Sequence, residues 1–191
     1  MMDGSQIQRE EPASWESFRS MPTGDLIDRF EVGVDRLDAR VFEIGDDGLD
    51  RAWPAEAGVG PWPIRVLLGH LADAEVSFAH RMRRVVAEPG SEIAVWDEHA
   101  FIDAGLYGVV AMSGGAKPVS PAIGGDVAAV HTMRRWLGPW LRSLPADAWQ
   151  RSGLHAGRGP LSLTDLLAYD TWHLERHAWF CNLKVAKLLG E

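Results

Sequence analysis

The stretch "SLTDLLAYDTWHLERHAWFCNLKVAKLL", residues 162–189, reads as one long helix, and its two faces decide the fold. At 100° per residue, Leu163, Leu166, Leu167, Asp170, His173, Leu174, His177, Cys181, Val185 and Leu188 fall on one side. The start is marked twice. Ser162 and Asp165 have the spacing of a capping box, and Leu161 and Leu166 that of a hydrophobic staple. On the apolar side sit two histidines four residues apart, stacked one turn above the other. A helix with one apolar face needs partners to cover it, and three further segments offer them.

The first runs from Thr23, after Pro22, with an apolar row Ile27, Phe30, Val34, Leu37, Val41 and Ile44 in alternating steps of three and four. The second follows "GVGPWP". Pro63 suits a first helical position, where a missing N–H costs nothing, and Leu67, Leu71, Ala74, Phe78, Met82 and Val85 form the stripe until "EPG" at 88–90 stops it. The third covers about Asp126 to Leu144, with Val127, Val130, Met133, Leu137, Trp140 and Leu141 on one side and Pro139 as an expected kink or break. Between the second and third lies a long, glycine-rich connection, 90–125, with one short helical candidate, "WDEHAF". "GLHAGRGPLSL" reads as loop or short extended chain. Little else reads as strand. The expectation is an all-α, four-helix bundle with a long connection between helices 2 and 3. Residues 1–22 would form an N-terminal extension and residues 23–191 the bundle domain.

Size and charge narrow the function. The chain has 191 residues and a net charge of −8, with no basic cluster beyond "RMRR" at 81–84, which argues against nucleic acid as a partner. There is no run of apolar residues long enough to span a bilayer and no basic, apolar leader at the start, so the expectation is a cytoplasmic protein without a membrane partner. Cys181 is the single cysteine and forms no internal disulfide. Nine tryptophans suggest core fillers, with some at a cavity or interface.

His173 and His177 admit two readings. They are core histidines bonded to backbone or a neighbour, or they hold a metal ion, because the four-residue spacing lets both rings reach one ion. Two ligands rarely suffice. His70 in "LLGHLADAE", at the edge of the second helix's stripe, is the best third ligand, since bundles build metal centres from facing helices. Asp170, one turn before His173, would either orient a ligand ring by accepting its second N–H or pair with Arg134 or Arg135. Asp73, one turn after His70, has the same two fates, ring partner or surface carboxylate. His99 and His155 lie in connections over the bundle's open end, as substrate contacts or as plain loop residues. His80 and His131 read as helix-surface residues. Cys181 is too far from His173 along the helix, about 12 Å, to share an ion with it.

Taken together, "PWPIRVLLGHLADAE" and "GLHAGRGPLSLTDLLAYDTWHLERH" resemble the DinB-like metal-binding superfamily, the damage-inducible four-helix-bundle family. Its members carry a histidine in an H–L–x–D–x–E context on the second helix and H–x–x–x–H on the last. Here these are His70, Asp73 and Glu75, then His173 and His177, and the resemblance spans roughly residues 25–188. It implies an up-down-down-up bundle, a divalent metal on His70, His173 and His177, and a homodimer. Relatives of this family include thiol-dependent S-transferases and a mycothiol-dependent maleylpyruvate isomerase. Three imidazoles leave at least one position open, as at a catalytic rather than a structural metal. Zinc and nickel both accept such ligands. The resemblance therefore points to thiol S-transfer onto a small electrophile, with a low-molecular-weight thiol as cosubstrate. A metal-dependent hydrolase, a non-catalytic metal-binding stress or interaction protein, and a metal-free structural dimer are the alternatives.

Overall fold

The structure is a computed structural model that describes residues 7–108 and 121–191. Seven α-helices lie within those residues: α1 (Trp15–Arg19), α2 (Thr23–Glu31), α3 (Asp46–Leu49), α4 (Ile64–Ala87), α5 (Glu98–Asp103), α6 (Ile123–Arg142) and α7 (Leu163–Leu189). Three short strands, β1 (Glu92–Ile93), β2 (Ser152–His155) and β3 (Gly159–Ser162), form a small sheet, β1 parallel and β3 antiparallel to β2. The core of the fold is the bundle of α2, α4, α6 and α7. No helix among the described residues is long and apolar enough to cross a membrane.

Ion pairs and polar contacts fix the helix directions. Arg19, just ahead of α2, pairs with Asp165 early in α7; Arg29 pairs with Glu175 in the middle, and Arg40, past α2, with Glu191 beyond the end of α7. So α2 and α7 run parallel. Arg65 near the start of α4 donates to the carbonyl of Pro121 just ahead of α6, and Arg134 in the middle of α6 pairs with Glu75 in the middle of α4. So α4 and α6 run parallel too. Lys184, late in α7, donates to Val59 O ahead of α4, whereas Arg151, ahead of α7, donates to Val86 O near the end of α4. The two pairs are therefore antiparallel, and the order is up-down-down-up.

The stripes read from the sequence are the core. Leu67, Leu71, Ala74, Phe78, Met82 and Val85 of α4 are all buried, and so are Leu163, Leu166, Leu167, Leu174, Cys181 and Val185 of α7. The start of α7 carries the full capping box: Ser162 Oγ accepts from Asp165 N, and Asp165 Oδ2 accepts from Ser162 N. Helix α6 runs through Pro139 to Arg142 rather than breaking there. Pro139 has no N–H to give the carbonyl of Arg135, so one internal bond is lost, and the helix continues for only three residues beyond it.

The first helix departs from expectation. Its apolar row continues to Ile44, but the α-helix ends at Glu31 and two 3₁₀ turns (Gly33–Arg36 and Ala39–Glu43) carry the rest. The reason lies across the bundle. Arg134 Nη1 donates to Phe30 O at 3.1 Å, and a β-carbon on Gly33 would run into that guanidinium. Further on, Asn182 of α7 accepts from Asp38 N at 2.8 Å and donates to Arg36 O at 2.8 Å and Gln8 O at 2.9 Å. Backbone groups that a helix would pair internally are satisfied here by side chains of α6 and α7. The row still packs, with Val41 buried and Val34, Leu37 and Ile44 against the core.

The extension at residues 1–22, whose first six residues lie outside the described part, lies against the bundle: α1 packs on α7 and Phe18 is buried in the core. The 90–125 connection folds as β1 and α5, the latter at the "WDEHAF" candidate; residues 109–120 of it lie outside the described part.

Arg134 should be the least replaceable charge in the bundle. Its guanidinium, 1% exposed, bonds Glu75 at 2.7 Å, Asp170 at 3.2 Å and Phe30 O. Arg134→Met would strand two buried carboxyls and is expected to cost about 3–5 kcal/mol, the usual penalty for breaking a buried pair from one side. Denaturant unfolding measures it. A loss under about 1 kcal/mol would mean that the carboxyls do not need this cation.

Candidate metal centre

Antiparallel packing of α4 on α7 brings His70 against the His173–His177 pair. His70 Nε2 lies 3.1 Å from His173 Nε2, and His177 Nε2 lies 3.1 Å from the same atom. The three ligand nitrogens fall within 4.8 Å of one another. A hydrogen-bond explanation fails at the middle ring. One Nε2 carries either a proton or one in-plane lone pair, so it cannot serve two neighbouring nitrogens at once. A shared cation serves all three: nitrogens bound tetrahedrally at 2.0–2.1 Å lie about 3.3 Å apart, close to the separations seen. The donor set therefore fits a divalent metal ion.

The electrostatics agree. Burial is the main cause that holds His70 down to about 4 and His177 down to about 3, and it keeps His173 well below the ordinary imidazole value, with repulsion from the other two rings adding to it. All three are neutral near pH 7, the form that binds metal. The Nδ1 atoms of all three have no hydrogen-bond partner among the described residues.

Both candidate ring partners are engaged elsewhere. Asp170 does not orient a ligand ring; it lies against Arg134, through Oδ1 at 3.2 Å, and Oδ2 has no partner among the described residues. A buried carboxyl beside a buried guanidinium takes that partner before a neutral ring, because a charge-assisted bond is the stronger. Burial first, and the neighbouring Glu75 charge second, push Asp170 well above the usual carboxylate range; burial raises Glu75 as well. Asp73 accepts from Tyr107 Oη at 2.8 Å rather than from His70. The Tyr107 ring in turn fills the space that a β-carbon on Gly69, the residue before His70, would need. Cys181 lies fully buried on the same face, and burial pushes its thiol up to about 12, as expected of a core residue.

The histidines open into a cavity of about 400 Å³, within the range of small-molecule sites. Tryptophans form much of its wall at the metal end. Trp62 stacks on His177, with centroids 5.9 Å apart and planes within 8°, and meets His70 edge-on at 5.1 Å; Trp96 stacks on His70 at 5.1 Å. The β2–β3 hairpin places His155 in the cavity wall. His99, on α5, stays exposed, does not line the cavity, and meets Trp62 edge-on at 6.0 Å between ring centroids. His80 and His131 are exposed on helix surfaces.

Sequence reasoning missed the arginines of this cavity, Arg81 and Arg158, and the individual tryptophans. Trp62 stands in "PWP", eight residues before His70, and Arg158 in the hairpin turn "HAGRG". The high tryptophan count was the one available signal, and it named no position.

The profile of the DinB superfamily matches residues 29–181. No curated protein matches the chain in sequence. Among solved structures, the chain is similar to YfiT from Bacillus subtilis, described as a probable metal-dependent hydrolase with an unusual four-helix bundle topology. The match has a TM-score of 0.71, covers 95% of this chain and 92% of that one, and carries 20% sequence identity. At that identity the likeness is one of fold.

Two substitutions test the centre. His173→Ala should abolish stoichiometric metal while leaving the helical circular dichroism intact; unchanged metal by mass spectrometry would move the site elsewhere. His70→Ala should lower the melting temperature only when metal is present. An ion that binds the folded state alone adds RT ln(1 + [L]/Kd), and that gain shrinks as Kd rises. An equal drop with and without chelator would make His70 a core residue and nothing more.

Proposed function

The chain belongs to the DinB superfamily, and from that premise we propose that it is a metal-dependent enzyme that transfers a thiol sulfur onto a small electrophile. The observation that carries this reading is the pairing of three neutral histidines at van der Waals distance from an aromatic cavity. A structural metal would be closed off by a fourth protein ligand. Here the donor group contains no fourth His, Cys, Asp or Glu among the described residues, and its open side faces space large enough for two reactants.

A divalent ion would be held by His70, His173 and His177 and would supply Lewis acidity, lowering the pKa of a protic nucleophile. The protein does the rest. Trp62 and Trp96 pack against the ligand rings and keep water from their apolar faces, which strengthens every charge interaction inside. The tryptophan wall holds the electrophile's flat part, so that the sulfur and the accepting carbon meet within one cavity. The C–S bond forms as the leaving group departs with its electron pair. The thiol's proton passes to solvent, or to His155, which lines the same cavity.

Thiols favour this reading over water on one ground. A free thiol has a pKa near 8.5, so a bound cation would ionise it almost fully at neutral pH, whereas water, brought to about 7 by a cation on three histidines, would be only about half ionised. Hydrolysis is the second reading, favoured by the described activity of YfiT, and it would use Glu98 as the base, the carboxylate of the cavity that no ion pair occupies among the described residues.

A panel of low-molecular-weight thiols with a chromogenic electrophile, run beside a panel of aryl esters, separates the two. The expected outcome is thiol-dependent turnover that falls at least a hundredfold on chelation and in His173→Ala. Ester cleavage without thiol, lost in Glu98→Gln, would select the hydrolase. Metal-loaded protein inert in both panels would leave a metal-binding protein without catalysis.

A further inference from the structure

The cavity has a second chemical character that the metal centre does not use. Arg81 and Arg158 both line it, and neither has an ion-pair partner among the described residues. Other arginines near the site are engaged: Arg134 with Glu75 and Asp170, Arg176 with Glu11, and Arg19 with Asp165. In a chain of net charge −8, two unpaired guanidiniums in one wall are a departure that needs an account.

Their placement is specific. The Arg158 guanidinium lies over Tyr169, 4.5 Å from the ring centroid, and donates to the phenol oxygen at 3.2 Å; Tyr169 stacks on His173 at 6.0 Å with planes within 19°. The Arg81 guanidinium lies over Phe78 at 5.2 Å, and Phe78 packs against His173 at 6.3 Å. Each arginine thus stands one aromatic ring away from the same ligand. Arg81 is further anchored by a 2.6 Å bond to Ala94 O, and burial lowers its pKa. His155 stands between them in effect: after burial, the charges of Arg81 and Arg158 are what push it down, so it is neutral. Its Nδ1 accepts from Gly157 N at 3.1 Å, which leaves the ring proton on Nε2 as a third donor. The opposing charge in the cavity, Glu98, acts on His70 and forms no ion pair with either arginine. Asp165, the remaining acid of the wall, is taken up by the capping box and Arg19.

We propose that this wall is an oxyanion seat: the substrate is a small acid, carboxylate or phosphate ester, with its anionic group on Arg81 and Arg158 and its flat apolar body along the tryptophans, reaching the histidines with its far end. Guanidiniums match oxyanions bidentately and aromatic faces hold the body, while an anion also relieves the repulsion among two arginines and a divalent ion. The proposal rests on the metal-enzyme reading for what happens at the histidine end; the seat itself is built by the arginines.

The test uses the whole protein and three probes of one shape, 2-naphthoate, 2-naphthyl phosphate and the neutral 2-naphthamide, followed by quenching of tryptophan fluorescence. Metal content is measured on the same samples. At least one anion should bind about tenfold or more tighter than the amide, and the tighter anion names the oxyanion. Arg158→Gln and Arg81→Gln should each weaken that anion about tenfold and leave the amide unchanged, the usual size for a charge-assisted bond; Arg158→Lys should recover part. Arg158 is exposed, so its variants keep the test alive should Arg81→Gln fail to fold. Equal affinity for anions and amide, or anion binding unmoved by Arg158→Gln, overturns the seat. Anion binding that vanishes with chelator yet ignores the arginines overturns it too, and assigns the anion to the metal. Arginine-dependent binding by protein that takes up no metal even after loading with zinc or nickel would keep the seat and defeat the metal-enzyme reading instead.

Discussion

One guanidinium ties the bundle together. Arg134 projects from α6, pairs with Glu75 of α4 and Asp170 of α7, and bonds the last carbonyl turn of α2. All four bundle helices therefore meet at a single planar group with no access to solvent. Burying an unpaired charge is prohibitive, so the helices have to arrive in the register that satisfies it. That register is also the one that makes the site. Glu75 lies five residues after His70, and Asp170 three before His173, so fixing the two carboxyls on Arg134 sets the height of His70 against the histidine pair. A slide of one helical turn would lose the ion pairs and the ligand cluster together.

The same group explains the early end of α2. A side chain at residue 33 would occupy the guanidinium's place, and Arg134 takes the carbonyl that a continuing helix would use. Stability and geometry are linked here through competition for backbone groups rather than through apolar packing. The segment beyond α2 then follows Asn182 and the apolar row onto the surface of α7.

Around the histidines, the cavity combines an aromatic histidine end with a cationic wall. Neutral imidazoles enclosed by Trp62 and Trp96 suit a dipositive ion, because nearby apolar rings withhold the water that would otherwise screen it. The paired acids of the core are committed to Arg134, Glu175 to Arg29 and Asp165 to Arg19, which leaves Glu98 as the one unpaired carboxylate of the cavity against two unpaired arginines among the described residues. The outcome is a site whose net sign opposes that of the protein as a whole. Such a local field draws anions toward a cleft while the surface stays acidic.

By itself the sequence determined the periodic parts. The stripes of α4 and α7, the capping box at Ser162 and the core-facing pair His173 and His177 follow from spacing along a helix, which is a local property of the chain; spacing makes His70 only a candidate at the edge of a stripe, and its place beside the pair comes from the packing of α4 on α7. What depends on atoms far apart in sequence was decided only by the tertiary structure. The break after Glu31 comes from Arg134, more than a hundred positions away along the chain in effect and in contact in space. The fates of Asp170 and Asp73 turned on which cation or hydroxyl arrived first, Arg134 and Tyr107, and periodicity places both carboxylates without ranking their partners. Arg81, on a helix, and Arg158, in a hairpin turn, share a wall because β2 and β3 fold over α4; nothing in their spacing announces it. A helix repeats every 3.6 residues and can be read one residue at a time, whereas a wall assembled from a helix, a hairpin and a loop exists only once the chain has closed on itself.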